Sequence, residues 1–228
     1  CESNRNQSKH FLLPVDDTQP FHLLPLWHGR LMPVVTRAAA KAASKAGIDI
    51  TGLQGLRASV SNKGNAVWEY REMDLYTGMG GGQTQIPEVD HVLEVQLLDF
   101  AFVLSYGSVG GREGSMAAAQ AHEQISDVFN GVTNLNVTTK RINCAKRGPF
   151  TSALNRLNSD SLRDLKLEQF ARQGSARSLV DDGTWARIEE AIVNVYDATN
   201  LQLSEADLLP SANALAERTM EELGSVLD

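Results

Sequence analysis

The residues best able to do chemistry lie in two short stretches. The first is Pro87-Glu88-Val89-Asp90-His91-Val92, where a carboxylate and an imidazole sit side by side between β-branched residues. In an extended strand neighbouring side chains point to opposite faces, but at a strand end the twist lets both serve one site. The second runs from Asn134 to Phe150 (NLNVTTKRINCAKRGPF), with Asn134, Asn143 and the basic residues Lys140, Arg141, Lys146 and Arg147, and no acid. An imidazole with an ordinary pKa of about 6.5 can take a proton from water near neutral pH. A carboxylate and an amide carbonyl are oxygen donors of the kind that Mg²⁺ or Mn²⁺ takes. Together these groups suit hydrolysis of a phosphodiester, with the basic side chains on flanking phosphates. An Asp-His pair by itself is more commonly a hydrogen-bonded structural pair, so the weight falls on the second stretch.

The order of the residues adds specificity. Asp90-His91, then Asn134-Leu135, then Asn143 followed by Lys146 resembles the HNH signature (DH, NL, N-x-x-K) of the ββα-metal, or His-Me finger, endonucleases. The resemblance covers about residues 86–150. It implies a β-hairpin packed on a helix and gripping one divalent cation, Mg²⁺ or Mn²⁺. It implies His91 as general base, Asp90 and Asn143 as metal ligands, and Asn134 as the residue that braces the hairpin and orients His91. Lys140, Arg141, Lys146 and Arg147 would then bind nucleic acid. The chain departs from the pattern in the long interval between His91 and Asn134, in Asn rather than His at the third position, and in lacking a zinc knuckle. The function expected is metal-dependent cleavage of nucleic acid, with DNA favoured over RNA. The alternative is a non-catalytic nucleic-acid- or protein-binding module that keeps an HNH-like skeleton.

Other chemically capable residues fit simpler roles. Glu94 would lie near His91 if its segment is helical, and suits a rim or structural carboxylate better than a further catalytic acid. His122-Glu123 lacks a second His one turn on, so no zinc-protease motif forms. Cys144 has no nearby His pattern and reads as a small buried residue. Trp27, Trp68 and Trp185 read most simply as core anchors, although one could stack on a base.

The elements that must position these groups make an α+β, mostly helical protein: a central ββα-metal element with helical N- and C-terminal extensions. Residues 1–85 hold an irregular arm, a helix over Pro33–Ala46 stopped by Gly47, and a glycine-rich loop after the aromatic, partly alternating stretch Asn65–Tyr76. On that first helix Arg37, Lys41 and Lys45 form a stripe expected to face solvent. Residues 86–150 hold the HNH-like core with an insertion at about 100–130. Within it, the apolar run Ile86–Tyr106 fits strand then helix, or helix throughout. Ser115–Asn130 reads as a helix and Leu135–Ile142 as a short strand. Residues 151–228 form a helical region, with helices over 151–173, 183–198 and 204–226, the second capped by Asp181 or Asp182.

The chain has 228 residues, enough for one core with additions. Its net charge of −7 argues against a protein that coats DNA non-specifically, which makes the local basic run the more telling feature. Two cysteines, Cys1 and Cys144, form no CxxC pair, so neither a disulfide framework nor a structural zinc is expected. No apolar run reaches the roughly 20 residues needed to span a bilayer. The polar start CESNRNQSKH lacks the basic and apolar regions of a signal peptide, although a removed leader would leave no trace.

Overall fold

The computed structural model describes residues 35–50, 53–80, 87–108, 115–156, 165–167 and 179–227. All of these fall in one compact unit, Met32–Asp228. The expected irregular arm lies outside the described residues, as does most of 157–178. The fold is α+β and mostly helical. Two antiparallel strands, β1 (Pro87–His91) and β2 (Leu135–Thr139), pair in the register Glu88 to Thr138, Asp90 to Asn136 and His91 to Leu135. Seven helices are described: α1 (Arg37–Ala46), α2 (Gly64–Arg71), α3 (Val95–Ser108), α4 (Ser115–Phe129), α5 (Lys140–Arg156), α6 (Asp182–Glu205) and α7 (Pro210–Leu227).

Local chemistry accounts for most of the boundaries. α1 is alanine-rich and ends at Gly47 in the left-handed region (φ 68), a conformation that favours glycine. Arg37, Lys41 and Lys45 face solvent while Ala39, Ala42 and Ala43 are buried. The apolar run after Pro87 is strand then helix. The switch falls at Glu94, whose carbonyl accepts from the N–H groups of Leu97 and Leu98 and so opens α3. Asp181 caps α6 by accepting from Thr184 N at 2.7 Å. Pro210 opens α7, where its missing N–H is not needed.

The helices expected over 183–198 and 204–226 run over Asp182–Glu205 and Pro210–Leu227 instead, because the break falls at 206–209. The aromatic, partly alternating stretch after Asn65 is largely helix α2. Val67 turns inward onto Leu135 and Val137, and the helix stops at Glu72, which takes a left-handed conformation (φ 61). The strand expected to reach Ile142 ends at Thr139, whose Oγ1 accepts from Ile142 N as α5 begins. That helix then runs through Pro149 instead of starting after it. Proline inside a helix removes one hydrogen bond and costs about 3 kcal/mol. Burial of Ile142, Ala145, Phe150, Ala153 and Leu154 along one side of α5 offsets this.

The main core lies between helices rather than on the sheet. α3 carries buried Leu97, Leu98, Phe100, Ala101 and Phe102, and α7 supplies Leu215, Met220, Leu223 and Val226 to the same cluster. A smaller cluster of Val60, Val67, Leu135 and Val137 covers the sheet face that carries Val89. Among the described residues no helix is long and apolar enough to cross a membrane.

Candidate functional site

Strand β1 ends in a polar environment with two sides. Glu88 and Asp90, two residues apart, share the face on which Thr138 and Asn136 lie opposite them. The turn after α2 docks here through the fully buried Asp74. Its Oδ1 accepts from Asn136 Nδ2 (2.8 Å) and Tyr76 N (3.0 Å), and its Oδ2 from the hydroxyls of Thr138 and Thr77, both at 3.0 Å. Both oxygens of that carboxylate are therefore answered by two donors each, as a buried polar group requires. Tyr76, also fully buried, donates its hydroxyl to Asp90 Oδ2 at 2.9 Å.

Helix α5 brings a cation to the same carboxylate. Lys146 is 0% exposed, and its Nζ lies 2.9 Å from Asp90 Oδ2 and 3.2 Å from Glu94 Oε1. It also donates to the backbone carbonyls of His91 and Val92. One turn earlier on the helix, Asn143 donates its Nδ2 to Glu88 Oε2 at 3.0 Å. No partner among the described residues takes the Asn143 carbonyl oxygen or Asp90 Oδ1.

His91 is adjacent to Asp90 and turns the other way, toward the end of α4. Its Nε2 lies 2.8 Å from Asn130 Oδ1. Asn134, 0% exposed, sits between α4 and β2 and ties both to the chain leaving β1. Its Oδ1 accepts from Leu93 N (2.8 Å), its Nδ2 donates to Phe129 O (2.9 Å), and its own carbonyl accepts from Val92 N (2.9 Å).

The electrostatics follow from burial and pairing. Burial pushes Asp90 up to about 6, against the pull of Lys146, with Glu94 adding repulsion. Burial alone would lower Lys146, but Asp90 and Glu94 together outweigh it and hold the ammonium above its usual range. Both partners rise, Asp90 because burial outweighs the pull of Lys146 and Lys146 because two carboxylates outweigh its burial. Burial brings His91 down to about 4, only partly opposed by its hydrogen bond to Asn130, with Lys146 adding to the depression. The imidazole is thus neutral at neutral pH.

The sequence-expected residues distribute as follows. Asp90, His91, Asn134, Asn143 and Lys146 all come to β1, β2 and α5 or their immediate ends. Asn134 does brace the strand end, but the side chain that contacts the His91 ring is Asn130. Lys140, Arg141 and Arg147 are exposed on α5. Lys146 is instead an internal counter-ion: the turn of α5 that directs Ile142 and Ala145 inward directs Lys146 inward too, away from any phosphate at the surface. Cys144, expected to be buried, is exposed for the complementary reason. Glu94 is a structural carboxylate, paired with Lys146. Among the described residues no group of three or more His, Cys, Asp and Glu side chains gathers as a metal cage.

Sequence reasoning missed Asp74, Tyr76 and Asn130. The first two stand next to a glycine loop that drew attention to itself. Asn130 precedes Gly131 and read as a helix stop; only its distant partners mark it as more. Comparison of the chain with family models, curated proteins and solved structures finds no match in any of the three.

Proposed function

We propose that this protein is a metal-dependent nuclease that hydrolyses phosphodiester bonds, DNA in preference to RNA, with His91 as general base and β1, β2 and α5 serving as a ββα-metal element. The observation that carries this reading is the succession of antiparallel β1 and β2 running directly into α5. Asp90 and His91 lie on β1 before two intervening helices, and Asn134 and Asn143 follow them, just before β2 and within α5. The neutral state of His91 at neutral pH leaves it able to accept a proton.

Asp90 and Asn143 carry oxygens of the type a hard divalent cation takes. Asp90 Oδ1 and the Asn143 carbonyl oxygen are both uncommitted, and Asp90 and Glu94 present two carboxylates to a single ammonium. Asp90 and Asn143 would hold Mg²⁺ or Mn²⁺ among waters, as Mg²⁺ prefers. When bound, the cation supplies neutralisation of the charge that builds on the phosphate. Lys140, Arg141 and Arg147 on the outer side of α5 would take the flanking phosphates.

A second reading rests on Lys146. Its ammonium already answers Asp90 and Glu94, and His91 is only 9% exposed, as suits a non-catalytic binding module built on the same skeleton. Nicking of supercoiled plasmid, measured with Mg²⁺ or Mn²⁺ and again with excess chelator, separates the two. The nuclease reading expects cation-dependent nicking that His91→Ala lowers by about 10²–10⁴-fold. Binding of DNA without any nicking would replace it by the second reading, and undiminished cutting by His91→Ala would remove His91 from the chemistry.

A further inference from the structure

We infer that Asn130 fixes the His91 imidazole in the tautomer protonated at Nε2, leaving the lone pair on Nδ1. Asn130 directly follows α4 and is 3% exposed. Its amide orientation is set by backbone groups, which cannot exchange donor and acceptor roles. Ala58 N donates to Oδ1 at 3.1 Å, while Nδ2 donates to Leu56 O and Ser126 O, each at 2.7 Å. A flipped amide would set N–H against N–H on one side and oxygen against two carbonyls on the other, so the assignment does not depend on the histidine. With Oδ1 an acceptor, His91 Nε2 at 2.8 Å must be the donor. A neutral ring protonated at Nε2 carries its lone pair at Nδ1, and Nδ1 has no partner among the described residues.

The consequence for catalysis rests on the nuclease reading; the tautomer itself does not. In hydrolysis Nδ1 would take one proton from water. The resulting hydroxide oxygen bonds to phosphorus as the bond from phosphorus to the leaving oxygen breaks. The leaving oxygen gains a proton from solvent, and the ring returns its own to solvent. Asn130 touches no reacting atom and is a positioning residue: its acceptor keeps Nε2–H in place and aims the opposite nitrogen. The segment between β1 and β2, which resembles an insertion in sequence, thereby supplies a working part of the site.

The test is nuclear magnetic resonance on protein labelled with ¹⁵N in its five histidines. The His91 signal is assigned by its loss in His91→Gln. At pH 7 a long-range ¹H–¹⁵N correlation should show protonated Nε2 and unprotonated Nδ1. The Nε2 proton should also show a nuclear Overhauser contact to the Ala58 amide proton, because both donate to the same oxygen. A proton on Nδ1, a doubly protonated ring, or no contact to Ala58 would overturn the inference. Asn130→Ala should yield a mixture of tautomers and lower kcat by about 10–100-fold at unchanged KM; a pure Nε2–H ring in a folded Asn130→Ala protein would also overturn it. If that variant does not fold, the wild-type spectrum and the Ala58 contact still decide. The predicted tautomer in a protein that cuts neither DNA nor RNA with Mg²⁺ or Mn²⁺ would end the nuclease reading and keep the inference. Cutting by a protein whose His91 is protonated at Nδ1 would do the reverse.

Discussion

Replacing His91 by Gln isolates what its burial does to stability. Glutamine keeps an N–H donor near Asn130 Oδ1 but cannot titrate. Burial holds the folded-state imidazole at about 4, against 6.5 for the free group. Between those values the unfolded chain binds a proton that the folded chain does not. Stability from this group is therefore fully present above 6.5 and is lost as pH falls toward 4. At about 1.4 kcal/mol per pH unit the loss amounts to about 3 kcal/mol. Asp90 runs in the opposite sense. Its folded value is raised from 3.8 to about 6, so its contribution is greatest below 3.8 and disappears as pH rises through 6, again about 3 kcal/mol in size. In the wild type the two largely offset each other across that window. His91→Gln removes one of them, so its stability relative to wild type should rise by about 3 kcal/mol between pH 7.5 and pH 4. Urea denaturation at constant ionic strength with chelator present, repeated at half-unit pH steps, measures that difference directly. Parallel stability curves for the two proteins would mean that His91 titrates as an exposed group, and the packing of its ring against Asn130 would be refuted.

Three further expectations follow from the same contacts. Lys146→Met leaves Asp90 and Glu94 buried without a counter-charge and should cost about 3–5 kcal/mol at pH 7.5, with less lost at pH 5 where Asp90 can protonate; thermal melts at the two pH values check both parts, and a loss below 1 kcal/mol would place Lys146 at the surface. Asn134→Ala strands the Leu93 N–H and the Phe129 carbonyl in the interior, at about 1–3 kcal/mol for each group. Chemical denaturation should show that loss, and a near-neutral effect would mean the strand end is held by something else. Lys140→Ala combined with Arg147→Ala should leave the fold intact and lower the log–log salt dependence of duplex DNA binding by about 1.8, at ~0.9 per phosphate contact; an unchanged slope would move the nucleic-acid surface off α5.

Much of the secondary structure was legible because its signals are local. Alanine content and Gly47 mark α1, and Asp181 marks the start of α6. The strand-to-helix switch at Glu94 was left open because a run buried on every side has no period to read. What stayed hidden depends on contacts distant in sequence. α2 is helical because Val67 packs on Leu135 and Val137, which local alternation does not reveal. Pro149 remains inside α5 because the residues on either side of it are buried along one helix face. Lys146 looked like one more base in a basic run. Only the rotation of α5 against β1 separates it from Lys140, Arg141 and Arg147.

The adjacency of Asp90 and His91 has a mechanical meaning that their spacing alone conceals. Neighbours on a strand project to opposite faces. Asp90 therefore enters the cluster of Tyr76, Glu94 and Lys146 beside α5, while His91 meets Asn130 at the end of α4. Lys146 also grips the backbone carbonyls of His91 and Val92, and Asn134 grips the N–H groups of Val92 and Leu93. The short stretch from Asp90 to Leu93 is thus held on one side by α5 and on the other by the residue that leads into β2. Any ligand that engages both groups must sit past the end of β1, where the chain leaves the sheet and the two faces meet. Asn130 fixes the ring of His91, and Asn134 fixes the backbone of Val92 and Leu93 that follows it.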